Sequence, residues 1–522
     1  MPTAAWLLWT VCLAVVAIGV AAQFFYIPHH DMAWLLYSAD RMMHGEQLYG
    51  SLMEVNPPLI IGISTVGVSI ASGLNMTRSH GWVVFVALQI LLSMWLTARL
   101  LRKSLDEDAP DLFGPLLAIL AWTLACLPGR EYGQREHLIV LWFIPYIVAA
   151  VNRARGQTIG WPMALTLGLL VGLAVCLKPY YAVLIALVEL VSVAWPARSI
   201  RPCFRAEVIT SVLLGVAYVV FVRVEHPLFF TAVLPLAVHY YGAYGSTVLE
   251  TIGKPVHLVY GAASLVALWF TRTPVMVASL CRAFAIAGLG AYITLAVQSK
   301  GWSYHFLPTK AFLTLTIGLA GLVFLREQLP QLILRPGRSW STAVTPAAVL
   351  VLLAGSAGWS AQQALKHRAG RDYQLLHEFE AFFDSQRQPP TSLVVLSPSM
   401  FPGFPLVETR RATWGMRYNH LWMLPGLLDE ERQRPNMPNR VLTVGRLSTT
   451  VAEDIDASKP QYVIVERQAK MAGGFTDVLA LFMPSERFRQ SWRSYALAHR
   501  IGGFEIYERV DAVPVGAAVG HR

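Results

Sequence analysis

Apolar runs of about 17–25 residues recur from Ala4 to roughly Ala361, each long enough to cross a hydrocarbon core of about 30 Å as a helix. Lipid offers no partner to a bare N–H or C=O, so such runs must close their hydrogen bonds internally. The pattern predicts a mainly α, polytopic membrane protein with about 11 transmembrane helices, near residues 4–26, 81–101, 112–128, 138–152, 160–177, 180–196, 207–224, 255–271, 283–298, 306–325 and 341–361. The first run has no basic segment before it, which makes it a retained span and not a cleaved signal. With only 14% charged residues the chain falls outside the soluble class. Its net charge of +10 invites a nucleic-acid reading, but basic cytoplasmic loops account for it, and no nucleic-acid partner is expected. Cys12, Cys126, Cys176, Cys203 and Cys281 lie in or beside apolar runs, which argues against a disulfide framework or a zinc site.

Loop charge orients the spans. Basic connections occur at 99–103, 152–155, 198–205, 271–274 with Arg282, and 326–338. The positive-inside rule places all five, and the N-terminus, in the cytoplasm. The opposite face then collects the loops around 30–59, 129–137, 178–181, 223–246 and 298–305, together with the tail. This arrangement requires the segment "PLIIGISTVGVSIASGL" (58–74) to be re-entrant or interfacial. Residues 1–361 are thus read as a transmembrane domain and residues 362–522 as an extracytoplasmic domain.

The polar loops of that face carry the chemistry. Met32, Leu35, Leu36, Ala39, Met42 and Met43 fall on one helical face, the pattern of a helix lying on the bilayer. Asp31 stands at its start, where it suits an N-cap and would be held rigidly at the membrane surface. Asp40 and Arg41 form a local ion pair worth little. Glu54 precedes "NPPL". The stretch "GREYGQREH" packs Arg130, Glu131, Gln134, Arg135, Glu136 and His137 between two spans, a density that is costly near lipid unless the groups pair or line a cavity. Lys178 closes a span in "CLKPYY", and as a fixed ammonium it suits a phosphate. "KGWSYH" offers Lys300, Tyr304 and His305, and "HYYGAYG" offers Tyr241 among other aromatics. Carboxylates, cations and aromatics on one membrane face fit a lipid-linked phosphorylated substrate.

In "HD" followed by "ADRMMHGEQLYG" and "NPPL", in "GREYGQREH", in "LKP" and in "KGWSYH", the chain resembles the GT-C superfamily of integral-membrane glycosyltransferases. It is most similar to the bacterial branch of protein O-mannosyltransferases, aminoarabinose transferases and rhizobial lipopolysaccharide galacturonosyltransferases. The resemblance spans most of residues 25–325. It implies a bacterial inner-membrane enzyme with a periplasmic active site, a polyprenyl-phosphate sugar donor and inversion at the anomeric carbon. The acceptor hydroxyl would belong to an envelope glycan, lipid or protein. Asp31 matches the family's first-loop acid, its general base. Glu131 or Glu136 stands where a second-loop acid is expected, although relatives often show Asp there. Arg130, Arg135, Lys178, Lys300 and His305 are then the donor-phosphate partners, and His30, Glu54, Tyr180, Tyr241, Trp302 and Tyr304 the substrate contacts. No metal-ligand spacing stands out, so neither a catalytic metal nor another cofactor is expected.

The tail carries a helical stretch, "YQLLHEFEAFF", then strand patterns at 392–397 and 462–467 and a hairpin pattern around Gly502-Gly503. That is a small α/β domain with no Gly-rich phosphate loop. A transporter or flippase of lipid-linked sugars is the rival reading; it predicts mid-membrane ionisable groups and repeat symmetry, whereas here the charges cluster at span ends. A structural subunit leaves the loop charges unexplained.

Overall fold

The computed structural model describes residues 2–270, 275–327, 340–437, 440–471 and 474–510. The basic stretch 271–274 and residues 328–338 of the last basic connection lie outside the described residues. The described residues hold eight helices long and apolar enough to cross a membrane, plus shorter apolar helices at Leu59–Gly73, Pro110–Ala125, Trp161–Leu177 and Pro255–Trp269. They fall into two compact units. The first comprises Met1–Tyr26, Trp82–Phe221 and Gly245–Lys366, and the second Ile27–Gly81, Val222–Tyr244 and His367–Arg522.

The first unit is all helical. Its opening helices are α1 (Pro2–Gln23), then, after the second unit's α2 (His30–Met43) and α3 (Leu59–Gly73), α4 (Arg78–Asp108), α5 (Phe113–Ala125), α6 (Arg135–Ala154) and α7 (Trp161–Leu177). Helices Val275–Gln298 and Leu307–Glu327 pack closely together and against α6. Helix α6 is the axis of the unit, buried at every position from Arg135 to Asn152. Other helices turn apolar side chains outward: Val219 in helix Ala206–Glu225 is 60% exposed and Leu265 in Pro255–Phe270 is 71% exposed. Such a surface is stable only against hydrocarbon.

The second unit is built on a five-stranded sheet. Its strands are β1 (Ser392–Leu396), β2 (Thr413–Trp414), β3 (Tyr462–Glu466), β6 (Tyr495–Ile501) and β7 (Phe504–Arg509), with β4 (Ala469–Met471) and β5 (Gly474–Thr476) forming a separate hairpin. The order is β2-β1-β3-β7-β6; β2, β1 and β3 run parallel, and β7 is antiparallel to both β3 and β6. "SLVVL" and "YVIVE" are continuous apolar runs because strands in the middle of such a sheet are covered on both faces. The expected α/β tail and its terminal hairpin are present.

Helix α2 departs from the expected one-sided burial. Every residue from Met32 to Ala39 is buried. Helix α3 covers one side and helix Gly403–Arg410 of the tail packs on another, with Phe404 4.9 Å from the Trp34 ring. The Asp40–Arg41 pair does not form either, since successive helical residues point apart. Asp40 binds Arg78 at 3.0 Å, and Arg41 binds Glu46. Arg78 also holds Glu408 at 3.0 Å.

Candidate active site

Four helix ends of the first unit converge: the start of α6, the end of α7, the end of Val275–Gln298 and the start of Ser303–Glu327. They bring together most of the expected phosphate partners. "GREYGQREH" folds as a short turn, Gly129–Glu131, followed by the first turn of α6. Its glycine spacing has a cause, because Gly133 takes φ +77° and a Cβ there would collide with the Trp82 indole nitrogen. His137 is structural: its Nδ1 accepts from the Gly133 N–H at 3.0 Å, and its Nε2 lies 2.8 Å from the Leu124 carbonyl. It staples the loop to α5.

The two second-loop acids part company. Glu136, in the first turn of α6, accepts a hydrogen bond from the Lys178 ammonium, and its Oε1 lies 3.6 Å from His305 Nε2. Glu131 accepts from the Ser303 hydroxyl at 2.6 Å, with Arg130 Nε at 3.5 Å. Burial raises the Glu131 carboxyl above the usual range, opposed by the Ser303 bond and the Arg130 charge.

Lys178 is 5% exposed. Its ammonium also donates to Gln298 Oε1 at 3.1 Å and lies 5.5 Å from the Tyr304 ring centre and 5.9 Å from that of Tyr180. The Tyr180 hydroxyl donates to the same Gln298 oxygen at 2.9 Å. Lys300 lies 5.1 Å from the Trp302 ring, and Trp302, Tyr304 and His305 pack ring against ring. Lys178, Arg135 and Lys300 all act electrostatically on His305. Burial first, then Lys178 and Arg135, bring Lys300 down to about 7. The three cations thus gather around His305, Glu136 holds Lys178, and the second Glu136 oxygen has no hydrogen-bond partner among the described residues.

The second unit holds the other expected residues. His29, and not Asp31, caps α2: its Nδ1 accepts from the Asp31 N–H at 3.3 Å. The Asp31 carboxylate, in the first turn, lies 3.6 Å from His30 Nε2 and 3.9 Å from His29 Nδ1. His420 feels the charge of Asp31 and of His30, and burial lowers its pKa to about 3, leaving it neutral. Ligand atoms of His29, His30 and Asp31 lie within 4.8 Å of one another, close enough to hold a metal ion. The fit is imperfect, because His29 Nδ1 is engaged in capping and a cation would face the positive end of α2. Glu54 is 1% exposed and accepts from the Trp34 indole and the Asn56 amides, so it holds the "NPPL" turn. Tyr241 packs 5.8 Å from Trp422.

Sequence reasoning missed Gln298, Ser303 and His420. Gln298 closes an apolar run and Ser303 lies inside "KGWSYH", so position beside recognised cations was a usable signal for both. His420 in "RYNHL" carries no local signal.

No protein-family model and no curated protein sequence matches the chain. Among solved structures, ArnT from Cupriavidus metallidurans bound to undecaprenyl phosphate superposes with a TM-score of 0.58 at 13% identity, over 97% of this chain and 98% of that one. The apo form of ArnT gives 0.58 at 12% over the same shares. The archaeal oligosaccharyltransferase AglB from Archaeoglobus fulgidus, in complex with an inhibitory peptide and a dolichol-phosphate, gives 0.46 at 12%, over 98% of this chain and 75% of that one. Along nearly its whole length the chain therefore has the fold of ArnT.

Proposed function

We propose that the protein is an inverting membrane glycosyltransferase that moves a sugar from a polyprenyl-phosphate donor to an acceptor hydroxyl on the extracytoplasmic side of the bacterial inner membrane. The observation that carries this reading is the cluster of desolvated cations around Lys178. Arg135, Lys178 and Lys300 gather around His305, with Glu136 on Lys178, at the helix ends of a unit whose outer surface is apolar. Desolvated cations this close repel one another, as the lowered Lys300 shows, and a lipid-borne phosphate would be attracted to all three while its tail stays in the bilayer. ArnT, which shares the fold, has been crystallised with undecaprenyl phosphate.

In the reaction the acceptor oxygen attacks the sugar C1 as the C1–O bond to the phosphate breaks, giving the inverted glycoside and polyprenyl phosphate. Asp31 takes the acceptor proton, help typically worth about 10²–10⁴-fold in rate. Lys178, Arg135 and Lys300 stabilise the negative charge growing on the leaving phosphate, and removal of one such partner typically costs about 10²–10³-fold. His305 hydrogen-bonds that phosphate, and Glu136 holds Lys178 in place between turnovers. The aromatics Tyr180, Trp302 and Tyr304 present faces on which a sugar ring can pack.

The test is transfer from a labelled polyprenyl-phosphate sugar by the purified full chain in lipid. Asp31→Asn should lower turnover about 10²–10⁴-fold with an unchanged melting temperature. Wild-type turnover in that variant refutes the general-base role. Accumulation of a polyprenyl-phosphate sugar after gene deletion would identify the donor.

A further inference from the structure

The mechanism leaves untouched a cavity at the opposite end of the first unit. Glu136 lies in the first turn of α6 and Asn152 in the last, and at 1.5 Å per residue the helix carries them about 24 Å apart. Around Asn152 a cavity of about 450 Å³ opens between the ends of α4 and α6 and the start of α7. Its floor is a closed hydrogen-bond network: the Ser104 hydroxyl donates to Asn152 Oδ1 at 2.5 Å and shares Gln157 Oε1 at 3.2 Å, and Asn152 Nδ2 donates to the Leu100 carbonyl at 3.1 Å. The rim is different. Arg99 and Lys103, one helical turn apart on α4, are exposed, and among the described residues neither has a carboxylate partner. Arg99 lies 5.1 Å from the ring of Trp95, itself 47% exposed. Below them the wall is apolar, with Leu96, Pro162 and Met163.

We propose that this cavity binds the phosphate headgroup of an anionic glycerophospholipid from the leaflet on that side. Two cations at a cavity mouth, with no carboxylate partner among the described residues, are complementary to a phosphodiester. A tryptophan beside them marks the depth at which headgroups lie. The apolar lining, Leu96, Pro162 and Met163, offers an acyl chain a surface beside those cations. A soluble phosphate would use the cations but not the wall, which is the ground for assigning a lipid. The site is independent of the sugar-transfer reading, since none of its residues is used there.

The experiment measures the melting temperature and native mass spectra of the purified full chain in neutral detergent, titrated with phosphatidylglycerol, phosphatidylcholine or glycerol phosphate. Phosphatidylglycerol should bind and raise the melting temperature, and phosphatidylcholine and glycerol phosphate should not. Arg99→Gln/Lys103→Gln should weaken phosphatidylglycerol binding roughly 30-fold, the effect of two surface cations, without shifting the melting point in phosphatidylcholine. Arg102→Gln removes a charge from the same helix end outside the cavity and should bind as wild type. Equal weakening by Arg102→Gln would show diffuse attraction and overturn the site. Unchanged binding in the double variant would do the same, and an equal response to glycerol phosphate would overturn the lipid assignment.

Discussion

At the scale of single residues, the informative groups are those whose surroundings fix a charge state. Lys300, brought down to about 7, is half neutral near physiological pH. Its folded pKa lies below the ordinary 10.5, so burying the cation is at full cost below about pH 7 and that cost is relieved as pH rises from about 7 toward 10.5. A bound phosphate reverses the balance by favouring the ammonium, so binding takes up a proton. Affinity for polyprenyl phosphate should therefore fall above about pH 7, by up to about tenfold per unit, and Lys300→Gln should flatten that slope. A pH-independent affinity in the wild type would remove Lys300 from the phosphate partners. Asp31 offers a sharper choice, because its carboxylate is placed either to take a proton or, with His29 and His30, to hold a cation. As a general base it should work unchanged after dialysis against a chelator; activity lost to chelation and restored by a divalent ion would make it a ligand instead.

At the scale of elements, two connections that look like loops in the sequence are rigid parts. "GREYGQREH" is locked by the positive φ of Gly133, by the Trp82 indole donating to its carbonyl at 3.1 Å, and by the His137 staple. Gly133→Ala should destabilise the protein by about 1–3 kcal/mol, read as a lower melting temperature, because the residue gains both a strained backbone and a clash. The basic connection 198–205 is pinned as well. Arg205 binds Glu189, which also accepts from the Tyr146 hydroxyl at 2.6 Å, and Arg153 holds Glu207 at 3.0 Å. A π-helical turn over Glu189–Ala194 accompanies that pairing. Removing Glu189 alone, as in Glu189→Ala, should cost about 1–3 kcal/mol by leaving the buried Tyr146 hydroxyl without its acceptor and Arg205 with only the longer Glu207 contact at 3.8 Å. Glu189→Leu/Arg205→Leu should recover part of that loss, and a double variant as unstable as the single one would show that the pair is not what holds the turn.

At the scale of the whole molecule, the described units are not the two consecutive segments that a change of composition near residue 362 suggests. The second unit joins residues 27–81 and 222–244 to the tail. Within it the Tyr37 hydroxyl accepts from the Trp414 N–H at 2.9 Å, Met53 pairs with Tyr418, and Arg78 joins Asp40 to Glu408. Residues 367–522 expressed alone should therefore expose Phe404 and Trp414 and fail to give a soluble, cooperatively melting domain; a sharp melting transition would show that the tail folds independently. By itself the sequence determined the helical membrane class, the strands of the tail and the short polar stretches worth attention, because hydropathy, period and turn residues are written locally. It could not tell which partners Glu131 and Glu136 meet, find Gln298 or His420, or tell that α2 is buried at every position from Met32 to Ala39. Those features depend on which distant side chain arrives opposite, and only the packing of helices and sheet decides that, since a buried charge takes its role from the partner the fold supplies.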